Sequence, residues 1–400
     1  MLVRIDIEDL ADEESEDDAD VLYSIAEPEN FMSKDGKTTW SSQPPGTSRV
    51  RSCDKVLHQS GPKPHVANAV KAIRDSFDHF MNTSVKSVIL KYTNERGKAV
   101  YKSDWNLLDM VELDAYLGLL IMQGVNRECR TDTSELWHST RGRPLYAAVM
   151  SRDRFIKICR ALSFDRKSTR AARRTVDRMC VVRELWDHWV PVLRNSFSPG
   201  CYTTVDEQLY PFRGRCSFKQ FMKSKPAKYG LKFWAFADAD TSYVLNIQLY
   251  TGKAPGQLPE RNQGRRVVLD LTDYLRSTSG INITCDNFFT DIELGRELLK
   301  RNMTMVGTIR KNKGEIPDDF LPSRNRALYS TLFGFTNEFT LVSYVPKIGS
   351  AVILLSSLHH DKKSNEDEQG KPDVILDYNA TKAGVDTMDQ LIGTYTYGNP

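Results

Sequence analysis

The stretch Ile281–Leu294 reads INITCDNFFTDIEL. Ile281, Ile283 and Cys285 alternate as on the inward face of a strand. Asp286 follows directly, and two phenylalanines come after it. A lone carboxylate taken out of water costs several kcal/mol or takes up a proton. Asp286 therefore needs a partner, a sheet edge or a cation. The next residues, TDIELGRELLKRN, spell a helix whose predicted opening is a capping box of Thr290 and Glu293. MTMVGTIR (303–310) is a further strand.

Upstream, the pattern keeps its strand period back to about residue 200. CYTTVDEQLY (201–210) alternates, with Thr203, Val205 and Leu209 on one face and Asp206 on the other. LKFWAFADADTSYVLNIQLY (231–250) reads as two strands around the turn DADTS, an antiparallel hairpin. RRVVLDLTDYLRS (265–277) is a helix. The order is three strands, helix, strand, helix, strand. Residues 311–372 break that rhythm with short apolar strands among charged loops, and read as an insertion. Beyond them a helix is expected from about Gly384, burying Val385, Met388, Leu391 and Ile392. Asp386 and Asp389, three apart, lie side by side next to that stripe.

Residues 66–197 have helical patterning. VELDAYLGLLIMQGV (111–125) is apolar almost all round, as in a central helix. SRDRFIKICRALSF starts on an N-cap, Ser151. VVRELWDHWVPVLRN repeats the apolar stripe, with Pro191 expected to kink or end it. The basic run RKSTRAARR (166–174) suits a DNA-backbone contact, a nuclear-localisation patch or a solvated turn.

The bulk composition sets limits. Of the 400 residues, 40% are hydrophobic and 27% charged, as in globular proteins. No apolar run reaches the roughly 18 residues of a membrane span, and the first twenty residues have no signal-peptide pattern. Seven cysteines lie scattered, without a C-x-x-C pair, which points to reduced thiols inside a cell. Residues 1–30 hold twelve Asp or Glu and one Arg, so the rest carries about +14 against +3 overall. A basic body with an acidic tail suits a protein that meets polyanions. Residues 1–65 read as unstructured: the tail is solvated or binds a partner, and SSQPPGTSRVRS is polar and proline-rich.

Asp206, Asp286 and Asp386 are far apart in the chain, yet one sheet can unite them. With three antiparallel strands followed by a helix and a parallel strand, the middle of the first strand lies beside the end of the fourth, and a later helix crosses both. That is an RNase H-like, mixed α/β arrangement. Three carboxylates gathered there would repel and protonate unless a cation joined them. Mg²⁺, or Mn²⁺, prefers such oxygen ligands, and two ions about 3.5–4 Å apart clamp an in-line phosphoryl transfer.

At these residues the sequence resembles the piggyBac transposase family. The resemblance rests on TVDEQLYPFRGRCSFKQFMKSKPAKYGLKFW, CDNFFTDIELGRELLKRNMTMVGTIRKNKGEIP and YNATKAGVDTMDQLIGTY, in that order, and on ELWHSTRGRPLYAAVMSRDRF and FDRKSTRAARRTVDRM before them. It spans about Val111 to Thr396. It implies a helical dimerisation and DNA-binding region (66–197), an RNase H-like catalytic core (198–310 and 373–400) and an insertion domain between (311–372). It further implies a nuclear homodimer that cuts and pastes DNA at TTAA targets with two metal ions. Hydrolysis at a transposon end would free a 3′-hydroxyl; that hydroxyl would form a hairpin on the opposite strand, and the reopened end would attack target DNA.

The catalytic and metal-binding acids fall on Asp206, Asp286 and Asp386, and a further required acid on Asp389. Basic residues after Asp206 (Arg213, Arg215, Lys219, Lys223, Lys225, Lys228), interleaved with Phe212, Phe218, Phe221 and Tyr229, are expected on DNA phosphates. So are Arg310, Lys311 and Lys313. The family continues into a cysteine-rich zinc-binding C-terminal domain, whereas this sequence stops at Pro400, so the resemblance implies a C-terminally shortened member. The alternative is a domesticated DNA-binding or chromatin protein that keeps the fold without the reaction.

Overall fold

The computed structural model describes residues 29–46, 51–55, 59–253, 256, 258, 260–276 and 278–396. The acidic block expected as a tail lies outside the described residues.

An eleven-stranded mixed sheet is the frame. In chain order its strands are β1 (Asn30–Met32), β2 (Thr39–Ser41), β3 (Tyr202–Pro211), β4 (Gln220–Phe221), β5 (Tyr229–Asp238), β6 (Val244–Leu249), β7 (Ile281–Cys285), β8 (Met303–Thr308), β9 (Thr331–Phe335), β10 (Thr340–Tyr344) and β11 (Val352–Ser356). β3, β5 and β6 pair antiparallel. β7 then pairs parallel to β3, and β8 parallel to β7. That order, 6-5-3-7-8, with the parallel half reached through helices, is the RNase H-like sheet expected from the sequence. Residues of the 311–372 segment continue the same sheet: β11 pairs antiparallel with β8, then come β10 and β9.

One expectation fails at the sheet's far edge. Residues 1–65 read as unstructured, yet β1 and β2 form a hairpin, and Ser41 pairs with Phe335 of β9. Two aromatic side chains explain it. Phe31 and Trp40 are fully buried beside Ile316 and Phe320, and the Trp40 indole N–H donates to the Glu315 carbonyl at 3.0 Å. The apolar area of two such rings offsets the ordering of a few residues without any long periodic pattern.

Helices cover both sheet faces. α5 (Gln263–Thr272) and α6 (Ile292–Lys300) place Val267, Leu271, Leu294 and Leu298 against Val205, Ile281, Ile283 and Cys285. On the other face α7 (Asp373–Thr381) puts Val374 and Ile375 on Val306 and Leu354, and α8 (Gly384–Thr394) puts Val385 and Met388 on Ala235 and Ala237. The small side chains of β5 let α8 lie close. Leu391 and Ile392, expected in the same buried stripe, are exposed instead. The cap of α6 also differs from expectation: Asp291 is the N-cap, accepting from the Leu294 N–H at 2.7 Å, while the Thr290 hydroxyl donates to the Asp286 carbonyl.

The region before the sheet is helical. α1 (Thr83–Tyr101), α2 (Met110–Val125), α3 (Arg152–Ala161) and α4 (Arg183–Ser196) share a second core around Leu113, Tyr116, Leu119, Phe155 and Ile158. α2 is not buried all round: Val111, Ile121 and Val125 face outward. Ser151 caps α3 as expected, through the Arg154 N–H. α4 continues past Pro191 rather than ending there.

Candidate active site

The two halves of the sheet bring Asp206 and Asp286 together. Val205 is the register partner of Cys285 in the parallel β3–β7 pair, and both belong to the core on the α5–α6 side. The next residue on each strand, Asp206 and Asp286, therefore comes level with the other and faces away from that core. On that face β3 presents Thr204, Asp206 and Gln208 toward the two C-terminal helices. The Thr204 hydroxyl donates to the Lys382 carbonyl at 3.3 Å, and the Gln208 amide donates to the Asp389 carboxylate at 3.0 Å. Asp386 lies between these two ties.

A glycine makes the approach possible. A Cβ on Gly384 would lie 2.7 Å from the Thr204 methyl and 3.2 Å from the Asp238 carbonyl. Without one, the start of α8 packs onto the sheet backbone and sets Asp386 over β3.

The electrostatics are those of carboxylates short of cations. Asp206 accepts one hydrogen bond, from its neighbour's backbone N–H at 2.6 Å. Burial, and then the facing charge of Asp286, pushes its carboxyl up to about 8; Lys225 and that N–H pull the other way. Burial raises Asp286 too, with the charge of Glu207 adding to it and the Phe288 N–H and Arg310 opposing. The Asp286 carboxylate accepts from the Phe288 N–H at 2.9 Å. Its phenylalanines do what helix-start residues do: Phe289 is in the core and Phe288 lies against its edge. Glu207 points to the opposite face, as strand alternation requires, and pairs with Lys232 at 3.1 Å.

Asp386 stands at the rim. Its side chain is 52% exposed, and the Lys225 ammonium lies 4.0 Å away. Among the described residues no three His, Cys, Asp or Glu side chains are close enough to hold a metal ion. Two of the expected ligands are thus level with each other at the β3–β7 seam, and the third stands apart at the rim beside a lysine. The donor set still fits a hard divalent cation. It is all oxygen, burial raises the proton affinity of two of its members, Asp206 and Asp286, and the thiol of Cys285 faces the other side with its pKa pushed up to about 12 by burial.

The other predicted residues divide. Lys225, expected on DNA phosphate, turns inward to Asp386. Arg213, Arg215, Lys223 and Lys228 are exposed on the segment around β4, and Lys219 is half-buried. Arg310 is exposed, donates to Asn287 at 3.3 Å and lies over the Phe288 ring. Lys311 is exposed and Lys313 half-buried just beyond β8. Sequence reasoning missed Gln208, on the same strand face two residues after Asp206, where period two could have found it. It also missed Tyr378 of α7, buried in the core, whose phenol is raised by burial and by the charges of Asp286 and Asp206.

Comparison with known proteins agrees with this geometry. A family model described as Transposase IS4 matches residues 74–399. A piggyBac transposase synaptic complex with hairpin DNA, solved by cryo-electron microscopy, superposes with a TM-score of 0.79 at 36% identity, over 84% of this chain and 71% of that one. The chain belongs to the piggyBac transposase family. Among curated proteins, the human piggyBac transposable element-derived protein 3 is 26% identical over 97% of this chain and 69% of its own length. The human chimeric ERCC6-PGBD3 protein is equally similar, and there the chain spans 38% of the relative. The proteins this chain is similar to thus include both a transposase and a protein named as transposon-derived.

Proposed function

We propose that the chain is a DNA strand transferase of the cut-and-paste type, acting at TTAA targets through Asp206, Asp286 and Asp386. One observation carries the reading: two half-buried carboxylates level with each other at the seam of the sheet, with a third on the helix that crosses it. DNA as the partner is supported by the synaptic complex with hairpin DNA that the fold resembles. A homodimer working in the nucleus belongs to the same reading.

Asp206, Asp286 and Asp386 would hold two Mg²⁺ or Mn²⁺ ions. Those ions, when bound, supply polarisation of the scissile phosphodiester and activation of the attacking hydroxyl. The chain's own side chains do the remaining work. Asp389, tied to Gln208, fixes the turn of α8 and so the position of Asp386. Lys225 shields Asp386 until DNA and cations arrive. Arg310 and the exposed bases around β4 offset phosphate charge and set strand register without reading sequence. Tyr378 and Phe288 keep bulk water from the inner side of the carboxylates.

The test is cleavage and joining of DNA bearing matched transposon ends in Mg²⁺. The reading expects nicking, hairpin formation and joining, all lost in Asp206→Asn and Asp286→Asn with DNA binding retained. Cleavage that survives Asp286→Asn would sink it. A second reading has support in the Lys225–Asp386 contact and in the spread of the three acids: a transposon-derived protein that binds DNA without cutting it. Salt-steep DNA binding with no cleavage under any divalent cation would favour that reading.

A further inference from the structure

We infer that Phe221 and Tyr229 form a stacking platform for an unpaired DNA base a few nucleotides from the phosphodiester held at the carboxylates. The inference rests on the DNA-directed reading above and adds a contact to it. Phe221 ends β4 and Tyr229 begins β5, and the two are direct register partners across that pair. Their rings lie 4.8 Å apart, tilted by 46°. Phe221 is 56% exposed and Tyr229 54%, and neither is part of a hydrophobic core. Two large rings turned to solvent on a sheet edge are costly to leave bare, and nothing in the fold uses them.

The loop between the rings links them to the active site. Residues 222–228 fold back on themselves through three backbone hydrogen bonds: Met222 N–H to Lys228, Lys225 N–H to Met222, and Lys228 N–H to Lys225. Lys228 takes a left-handed backbone, φ 54°, to close that turn. At its tip Lys225 meets Asp386. The ring pair and Lys225, the lysine beside Asp386, are therefore the two ends of one short, internally bonded hairpin. Along β5 itself, Tyr229 lies six residues from Ala235, the register partner of Asp206, about 20 Å of strand, within reach of a few nucleotides from a phosphate at the acids.

The surroundings choose the occupant. Arg213, Arg215, Lys223 and Lys228 are all exposed nearby, so an apolar protein surface would meet a field of cations. A polyanion that also offers π-faces suits both features. Inside a duplex the base faces are already stacked, whereas a base at a broken or hairpinned end has a free face. Stacking of unpaired bases on exposed rings within a basic groove is the general form of single-strand recognition.

Phe221→Ala, Tyr229→Ala and the double variant test this, with Phe221→Trp as the conservative control. Each protein is titrated, without divalent cations so that nothing is cut, against a fluorescent duplex with flush ends and against the same duplex carrying an unpaired end with 2-aminopurine. The wild type should prefer the unpaired end and quench the 2-aminopurine. Each alanine should reduce that preference on the order of tenfold, leave the flush duplex unchanged, and abolish quenching in the double variant, while Trp keeps it. Equal loss for both DNAs, or no loss for either, overturns the platform alone. Failure of the wild type to bind either DNA removes the DNA-directed reading, and the platform with it.

Discussion

Asp206→Asn should stabilise the protein at alkaline pH in the absence of divalent cations. Burial and the facing Asp286 push the Asp206 carboxyl from an ordinary 3.8 up to about 8. The folded state therefore holds a proton that the unfolded chain releases near pH 4. Stability drawn from this group falls as pH rises from about 4 to about 8 and is fully lost above that. A shift of about four units corresponds to roughly 5 kcal/mol, an upper bound, because Asp206 is only half-buried and solvent screens it. Asparagine carries no charge and avoids that cost. It also relieves Asp286, which then faces one charge fewer.

With an unfolding entropy of roughly 2 cal/mol/K per residue, 5 kcal/mol is worth about 6 °C in Tm for a chain this long. Melting in EDTA at pH 8.5 should therefore place Asp206→Asn several degrees above the wild type. The gap should close as the pH falls toward 5, where the wild-type carboxyl holds its own proton. Adding Mg²⁺ at pH 8.5 should raise the wild type and leave the variant where it was, since a bound cation contributes RT ln(1 + [L]/Kd) to the folded state only where its site exists. A variant no more stable than the wild type at pH 8.5, or a gap that ignores pH, would refute the reasoning.

Lys225→Ala removes the cation that stands beside Asp386 at 4.0 Å; Mn²⁺ binding to the DNA-free protein, read by electron paramagnetic resonance, should tighten about fivefold, given two charges partly screened by solvent. Gly384→Ala drives a methyl to within 2.7 Å of the Thr204 side chain; it should cost about 1–3 kcal/mol in denaturant melts and reduce strand cleavage by more than that loss explains, because it lifts Asp386 off β3. Trp40→Ala empties a fully buried site and orphans the Glu315 carbonyl; urea unfolding should show a loss of about 3–5 kcal/mol, with DNA binding unaffected in the fraction that stays folded.

The core strands were legible because each carries alternation on one face and a turn signal at its end. The DADTS turn between β5 and β6 is the clearest case. Asp206 and Asp286 stood out because a charge sits where the strand period demands a half-buried side chain. β1 and β2 were invisible for the opposite reason. Three-residue strands have no period to detect, and what holds them is the fit of Phe31 and Trp40 against residues nearly three hundred positions away. The placing of Lys225 beside Asp386 was not legible for a related cause. The basic composition of 213–228 foretells a phosphate-facing segment, but which lysine turns inward depends on a loop closed by the left-handed Lys228. Gln208 and Tyr378 carry no motif of their own and become interpretable only once α7 and α8 lie on the sheet.

The place of the carboxylates follows from a mismatch of strand lengths. β3 has ten residues and β7 has five. Their parallel pairing ends at Val205 and Cys285, whereas β3 stays paired with β5 through Pro211. From Asp206 onward β3 has no strand neighbour on the β7 side, so the sheet opens into a notch at the seam between its antiparallel and parallel halves. That seam is also where open α/β sheets leave a crevice beyond the strand ends. Asp206 stands at the notch's apex, Asp286 at the end of the strand that stops there, and α8 closes one face with Asp386 at the lip. The chain beyond Asp286 turns away into α6 through the Asp291 cap, which keeps the notch clear. A longer β7 would fill the gap with main chain and bury both acids without access for a ligand. The short strand INITC is thus what turns two aspartates in a sheet into a site open to a ligand.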